Sequence, residues 1–351
     1  MYEMYEDRLR QSKAVQRANR YSPYCDLVYY PSSRTPGLRL AMRVLKPAQP
    51  SDIVVNTHGW HMSMPEFVAM GEPAPEVDCL TLQVDMRGRA YSDGKPDCNG
   101  WELYDVIDAV TYAREHYGEW LSDDAAVCFE GGSGGGGNAY AIAGKFPDFF
   151  SAITALYGIT DYEKWYRNDT IGEFRDEMDV WIGTTPDQNP AAYQARSGLR
   201  LIENLQTPLL MIHGERDARC PVEQARVYLD RAGALHKMDL IQYCELPGVG
   251  GRGHLENATP EQLALIAGLC KRHRLAHRSP VQIPERGRMV VAGYLFTKHF
   301  SVVLDSLDQM AEIHHDRSRE EFQLISPVAC RAVVEITATQ NTKVIRAVRE
   351  G

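Results

Sequence analysis

Short apolar runs alternate with amphipathic stretches through most of the chain. CDLVYY and LRLAMRVL come first, followed by IVVNTHGW and CLTLQVDMRG, and each reads as a strand bounded by polar or Gly/Pro-containing segments. The period then changes in WELYDVIDAVTYAREHY, where Leu103, Val106, Ile107 and Val110 recur at helical spacing and predict a helix with that face inward. AAVCFE is a short buried strand that runs into EGGSGGGGNAY, after which NAYAIAGKF continues as a helix. SAITALYG and PLLMIHG read as further buried strands, and DLIQYCELPG as one more strand. TPEQLALIAGLCKRH carries a helix start: Thr259 as N-cap, Pro260 in the first helical position, and Gln262 placed to complete a capping box. Strands that alternate with helices in this way predict a mostly parallel sheet covered on both faces.

Four segments depart from that alternation. MYEMYEDRLRQSK and the residues after it, 1–24, read as an N-terminal helical extension to a main domain over 25–278. Within that domain, about 159–206 is rich in aromatics and acids and reads as an inserted cap. HRSPVQIPERGR is a linker. From 287 to 351 the short β-branched stretches MVVAGYLF, HFSVVLDSL, EFQLISP, CRAVVEITA and TKVIRAV predict a small, mainly β C-terminal domain, with a turn at Gln340-Asn341. It is the natural candidate for self-association into a homo-oligomer.

Composition narrows the class. A chain of 351 residues with net charge -9 can bury a large core but lacks the basic surface that phosphate backbones require, so a nucleic-acid partner is excluded. KRHRLAHR, the densest basic run, reads as a helix end. There is no secretory leader pattern at the start of this sequence and no run long enough to span a membrane. The eight cysteines are scattered without metal spacing; Cys79, Cys128 and Cys244 sit in apolar runs as expected of buried thiols. That usage fits a reducing compartment and hence a cytoplasmic location. His314 and His315 form a pair without further spaced ligands, so they read as surface residues and no metal is expected.

The glycine cluster admits two chemistries. Gly132, Gly134 and Gly137 spell G-x-G-x-x-G, while Gly131, Ser133 and Gly135 spell the nucleophile elbow G-x-S-x-G. Asn138 stands where a phosphate loop needs its lysine. A dinucleotide site would use the first strand-helix unit and an acid about 20 residues on, but three strand candidates come earlier and SAITALYG has no acid. No cofactor is therefore expected.

The elbow makes its own demand: an acid after a later strand and a histidine after the next. PLLMIHGERDARCPV offers Asp217, with Glu215 as the rival acid, and ELPGVGGRGHLEN offers His254 among glycines. Ser133 is thus the candidate nucleophile, His254 the base that takes its proton, and Asp217 the group that orients the imidazole. Oxyanion donors are sought in the backbone N–H of Trp60, where IVVNTHGW ends, and of Gly134. Tyr157 and Trp165 are the aromatic candidates to face a substrate. Arg87 and Arg89 in DMRGRAYSDG read as loop-holding residues. The acids of the cap suit a cationic or free-amine substrate, although a solvated face is the plainer reading.

GGSGGGG, HGERDARCPVEQA and LPGVGGRGH, with THGW and DMRGRAYSDG upstream, resemble the α/β-hydrolase fold, nearest the catalytic domain of the prolyl oligopeptidase family and similar acetyl esterases. The resemblance spans roughly 25–278 and implies Ser133, Asp217 and His254 as the triad. It implies a small-molecule ester or a peptide as substrate. The propeller of many peptidase relatives has no counterpart ahead of the hydrolase region, which tilts the expectation toward esters. A noncatalytic scaffold on the same fold is the remaining alternative.

Overall fold

The computed structural model describes residues 25–64 and 77–348. The helical extension expected over 1–24 lies outside them. A first sheet holds eight strands in the order β1-β2-β4-β3-β5-β6-β7-β8: β1 Cys25–Pro31, β2 Arg39–Leu45, β3 Ile53–Thr57, β4 Leu80–Asp85, β5 Val127–Gly132, β6 Ala152–Leu156, β7 Leu209–Gly214 and β8 Ile241–Leu246. β1, β2 and β4 pair antiparallel, and from β4 through β3 to β8 every pairing is parallel. This is the mixed sheet of an α/β-hydrolase. The order reverses at β3, so the crevice beyond the carboxyl ends of β3 and β5 is where a parallel sheet receives ligands.

Successive residues of β7 divide the helices between two faces. Leu209 and Met211 join the core shared with α1 (Glu102–His116), α2 (Gly134–Lys145) and α6 (Glu223–Ala234); Leu210 and Ile212 join the one covered by α7 (Pro260–Ala276). Period two along a strand buried on both sides produces this split. Leu103, Val106, Ile107 and Val110 are all buried, as the helical spacing predicts. The Thr259–Gln262 capping box is formed. Between β6 and β7 run α3 (Tyr162–Asn168), α4 (Arg175–Ile182), α5 (Pro190–Gln194) and the 3₁₀ turn Gly198–Asn204.

The second sheet has seven antiparallel strands in the order β13-β12-β9-β10-β11-β14-β15: β9 Arg286–Ala292, β10 Tyr294–Phe296, β11 Phe300–Leu304, β12 Met310–Asp316, β13 Glu321–Ile325, β14 Arg331–Ile336 and β15 Asn341–Arg346. Val348, just past β15, bridges to Ile325 of β13, so the outer strands meet around a separate core. Tyr294 leaves that core for the main one, stacking on Trp101 at 4.6 Å and donating its hydroxyl to the Gly100 carbonyl at 2.6 Å. Lys145, buried at the end of α2, donates to the Ala292 carbonyl at 2.7 Å. Asn204 exchanges two hydrogen bonds with the backbone of Val290, both 2.7 Å.

Two expectations need correction. Met310–Asp316 is a strand, with Ala311, Ile313 and His315 inward, and His315 is 5 % exposed against Phe300 rather than on the surface. Only when a histidine counts as an inward residue does MAEIHHD alternate. His314 faces outward and pairs with Glu312. Cys128 is buried, but Cys79 and Cys244 are half-buried; all eight thiols are free.

Candidate functional site

Ser133 sits between β5 and α2 with φ 57° and ψ -117°, a backbone conformation that non-glycine residues seldom adopt. The surrounding glycines make that turn possible. A Cβ on Gly131 would lie 2.1 Å from the Gly135 carbonyl oxygen, and one on Gly135 would lie 2.6 Å from that of Thr57 at the end of β3. The side chain of Ser133 is thereby held clear of the helix. His254 Nε2 stands 2.9 Å from its Oγ.

Asp217 lies in the turn after β7, its side chain buried. Oδ1 accepts the N–H groups of Arg219 and Cys220 at 2.9 and 3.0 Å, which leaves Oδ2 facing His254 Nδ1 at 2.6 Å. A carboxylate can only accept, so the proton resides on Nδ1 and Nε2 is free to accept from the serine hydroxyl. Glu215, the rival acid, instead accepts the Gly248 N–H at 2.7 Å and anchors the start of the histidine loop. That loop is laced to the acid turn by Arg216 N–H to the Val249 carbonyl (2.8 Å) and Ala218 N–H to the Gly251 carbonyl (3.0 Å). Gly250, at φ 109°, leaves no room for a Cβ, which would meet Asp217 N at 2.3 Å.

Trp60 and Gly134 meet across the crevice: a Cβ on Gly134 would lie 2.6 Å from the Trp60 nitrogen. The backbones of Gly134 and of the Gly59–Trp60 loop therefore pass in close contact next to Ser133. His58 fixes the loop that brings Trp60 there, with Nδ1 donating to the Gly59 carbonyl at 2.9 Å and Nε2 accepting from Met86 N–H at 3.1 Å. Burial, reinforced by the Arg89 charge, pushes the His58 imidazole down to about 3, so it stays neutral.

Tyr157, at φ 40°, stacks on the His254 imidazole with ring centroids 4.6 Å apart. Trp165 is buried, donates Nε1 to the Arg219 carbonyl at 2.8 Å, and packs edge-on against Trp60 at 5.0 Å and flat against Phe174 at 4.3 Å. Arg87 makes a bidentate pair with the buried Asp105, both contacts 2.6 Å, and so holds its loop. Arg89 lies over the Trp181 ring at 4.1 Å.

The acids between β6 and β7 divide between fold and solvent: the side chains of Asp176 and Asp187 are 76% and 77% exposed. Asp169 is buried and accepts four successive backbone N–H groups, from Gly172 to Arg175. Glu173 pairs with Arg219. It also lies 3.5 Å from His61 Nε2, while Glu177 lies 2.9 Å from Nδ1. Hydrogen bonding to Glu177 holds the His61 pKa above its usual value.

Three participants carried no signal in the sequence. His58 looked like part of the strand end. His213 sits inside β7; burial lowers its pKa, and it bonds through Nε2 to the Cys220 carbonyl at 2.7 Å, beneath Asp217. Cys220 donates its backbone N–H to Asp217, and burial pushes its thiol well up, so it stays protonated. Among the described residues no cluster of three potential metal ligands occurs, and no helix is long and apolar enough to cross a membrane.

Residues 79–248 match the sequence model of the prolyl oligopeptidase family. The chain is 29% identical over 163 residues to esterase LipC of Mycobacterium tuberculosis, covering 42% of this chain and 40% of that one. It is 31% identical over 139 residues to the uncharacterized peptidase YuxL of Bacillus subtilis, covering 37% and 19%. The chain thus spans well under half the length of these relatives. The acylaminoacyl peptidase of Pyrococcus horikoshii superposes with a TM-score of 0.59 at 20% identity, over 75% of this chain and 42% of its own. What that structure shares with this chain is the α/β-hydrolase fold.

Proposed function

We propose that this chain is a serine hydrolase that cleaves a carboxylic ester of a small molecule through an acyl-enzyme. The observation that carries the reading is the continuous line from Asp217 through His254 to Ser133, with contacts of 2.6 and 2.9 Å. Ser133 Oγ attacks the ester carbonyl as its proton passes to His254 Nε2; Asp217 keeps Nδ1–H oriented and stabilises the imidazolium. The oxyanion accepts from the N–H groups of Trp60 and Gly134, donors typically worth a few kcal/mol each. Collapse breaks the bond to the leaving oxygen, which takes the proton from His254. Water then attacks the acyl-enzyme, gives a proton to the same nitrogen, and releases the acid as Ser133 recovers its hydrogen.

A second reading, a serine peptidase, draws on the family match over 79–248 and on relatives named as peptidases. In either case the catalytic body is 25–278 with a cap near 159–206, and 287–351 is a separate C-terminal unit. Eight free thiols suit a reducing compartment such as the cytoplasm. Exposed Val344 and Val348 on the C-terminal unit are the basis for proposing self-association there, which sizing in solution tests.

Labelling by a fluorophosphonate, absent in Ser133→Ala, tests the chemistry. A folded wild-type protein that resists the label is a noncatalytic scaffold. Turnover of short acyl esters is expected to exceed that of proline-containing peptide amides, and the reverse order makes the chain a peptidase.

A further inference from the structure

Cys98 and Asn99 form a turn ahead of α1 in which both backbones are left-handed, with φ 49° and 60°. Asparagine tolerates that region, whereas cysteine seldom enters it, so the surroundings must hold the turn in place. Both residues are buried. The start of α1 secures the backbone: Glu102 Oε1 accepts the Asn99 N–H at 2.7 Å, and Asp97 accepts the N–H groups of Trp101 and Glu102 at 2.6 and 3.1 Å.

The Asn99 side chain then joins segments that lie far apart in the chain. Its Oδ1 accepts from Asn138 Nδ2 at 2.7 Å, and Asn138 Oδ1 accepts from the Thr57 hydroxyl at 2.9 Å. Asn138 lies in α2, five residues after Ser133, and Thr57 ends β3, three residues before Trp60. On the opposite side, Asn99 Nδ2 donates to the Arg196 carbonyl at 2.8 Å. Thr57, Asn99, Asn138 and Arg196 are all buried, where an amide left unpaired costs more than at the surface.

The second sheet grips the same turn. Asp308, in the loop between β11 and β12, pairs with Arg196 Nη1 at 2.6 Å, and Arg196 Nε donates to the Asp97 carbonyl at 3.2 Å. Tyr294 of β10 donates to the carbonyl of Gly100, the residue after Asn99. We infer that Asn99 is a positioning residue that sets the nucleophile helix against the oxyanion loop, and that the second sheet holds it in place through Arg196 and Gly100. This gives the C-terminal sheet a part in the reaction, and it rests on the hydrolase reading. Because Asn99 acts through Asn138 and Thr57 rather than on substrate, its removal lowers kcat and leaves KM in place.

The test follows hydrolysis of 4-nitrophenyl acetate and the rate of fluorophosphonate labelling in the full chain. Asn99→Gly removes the side chain and relaxes the backbone, since glycine enters the left-handed region freely. It is expected to lower kcat and the labelling rate about tenfold with KM unchanged, the scale of one buried hydrogen bond felt in the transition state. Should Asn99→Gly not fold, Thr57→Val, which cuts the far end of the same line, serves in its place with the same expectation. Asp308→Ala, which frees Arg196, is expected to lower both rates about threefold alone and by no further factor in Asn99→Gly, because the two changes act through one contact. Asn204→Ala cuts a different link to the second sheet, its bonds with Val290, and is expected to keep kcat while losing stability in urea. Equal kcat losses in Asn204→Ala and Asn99→Gly, independent losses from Asp308→Ala and Asn99→Gly, or full activity of folded Asn99→Gly each overturn the inference and leave the hydrolase standing. The Trp60 N–H is read separately by NMR of tryptophan-labelled protein, assigned with Trp60→Phe. Its signal is expected to shift in Asn99→Gly and Asp308→Ala and to stay in Asn204→Ala. If the wild type is inert to both reagents, that pattern still supports the junction and only the hydrolase reading falls; an unmoved Trp60 signal overturns the inference in either case.

Discussion

Tyr157 lies flat on the imidazole of His254, their planes 10° from parallel and their centroids 4.6 Å apart. The ring follows directly from the end of β6, and its hydroxyl end packs close to Gly132, where a Cβ would come within 2.9 Å of it. Tyr157, proposed from the sequence to face substrate, thus stands against the imidazole. Its stacking holds the ring in the plane that serves both Ser133 and Asp217.

Removing that ring is therefore expected to lower kcat rather than raise KM. An aromatic stack contributes about 1 kcal/mol beyond its area, so Tyr157→Ala should slow turnover about fivefold. Tyr157→Phe, which keeps the stack, should recover the rate. Steady-state kinetics on both variants check this, and equal losses in the two would assign the effect to the hydroxyl.

Gly134 touches the backbone of Trp60 so closely that any side chain must displace it. Gly134→Ala is expected to cost about 10²- to 10³-fold in kcat, the range for losing an oxyanion donor. Folding should survive, since the movement is confined to the loop after β3. Circular dichroism with single-turnover acylation would establish both halves; a fully active variant would remove Trp60 and Gly134 from the oxyanion site.

His58 supplies a pH dependence with a definite sign. Its imidazole titrates near 3 in the folded chain against 6.5 when free, because it is buried and Arg89 is close. The unfolded chain binds the extra proton between those values, so stability contributed by neutral His58 is present above pH 6.5 and is lost as pH falls toward 3. Asp85, 3.9 Å away, opposes it: burial raises its carboxyl to about 6, and acidification relieves that cost. Urea melts of wild type and His58→Gln between pH 4 and 7 isolate the histidine. The wild type should lose more stability on acidification than the variant does.

Tyr294 joins the two cores. It is fully buried, stacked on Trp101 and bonded to the Gly100 carbonyl. Tyr294→Ala is expected to destabilise the chain by about 3–5 kcal/mol and Tyr294→Phe by about 1 kcal/mol. Denaturant unfolding monitored by tryptophan fluorescence gives the measurement. A small loss in the alanine variant would mean that the second sheet adds little to the first.

The sequence by itself determined the eight strands of the first sheet and the helices α1, α2 and α7, because strands and amphipathic helices write their period into the spacing of apolar residues; α3 to α6 were not legible in it. It also placed Ser133, Asp217 and His254 each at a strand end, since an elbow needs glycines at fixed offsets and the acid and the imidazole follow in order. Only the tertiary structure decided what depends on which distant segments meet. The pairing of Asp217 rather than Glu215 with His254, the neutral state of His58, the inward turn of His315 and the pairing of Glu173 with Arg219 are all of this kind. Burial and partner identity set a polar group's energy, and both are properties of the packed chain; the residue letter fixes only what that group is able to donate or accept.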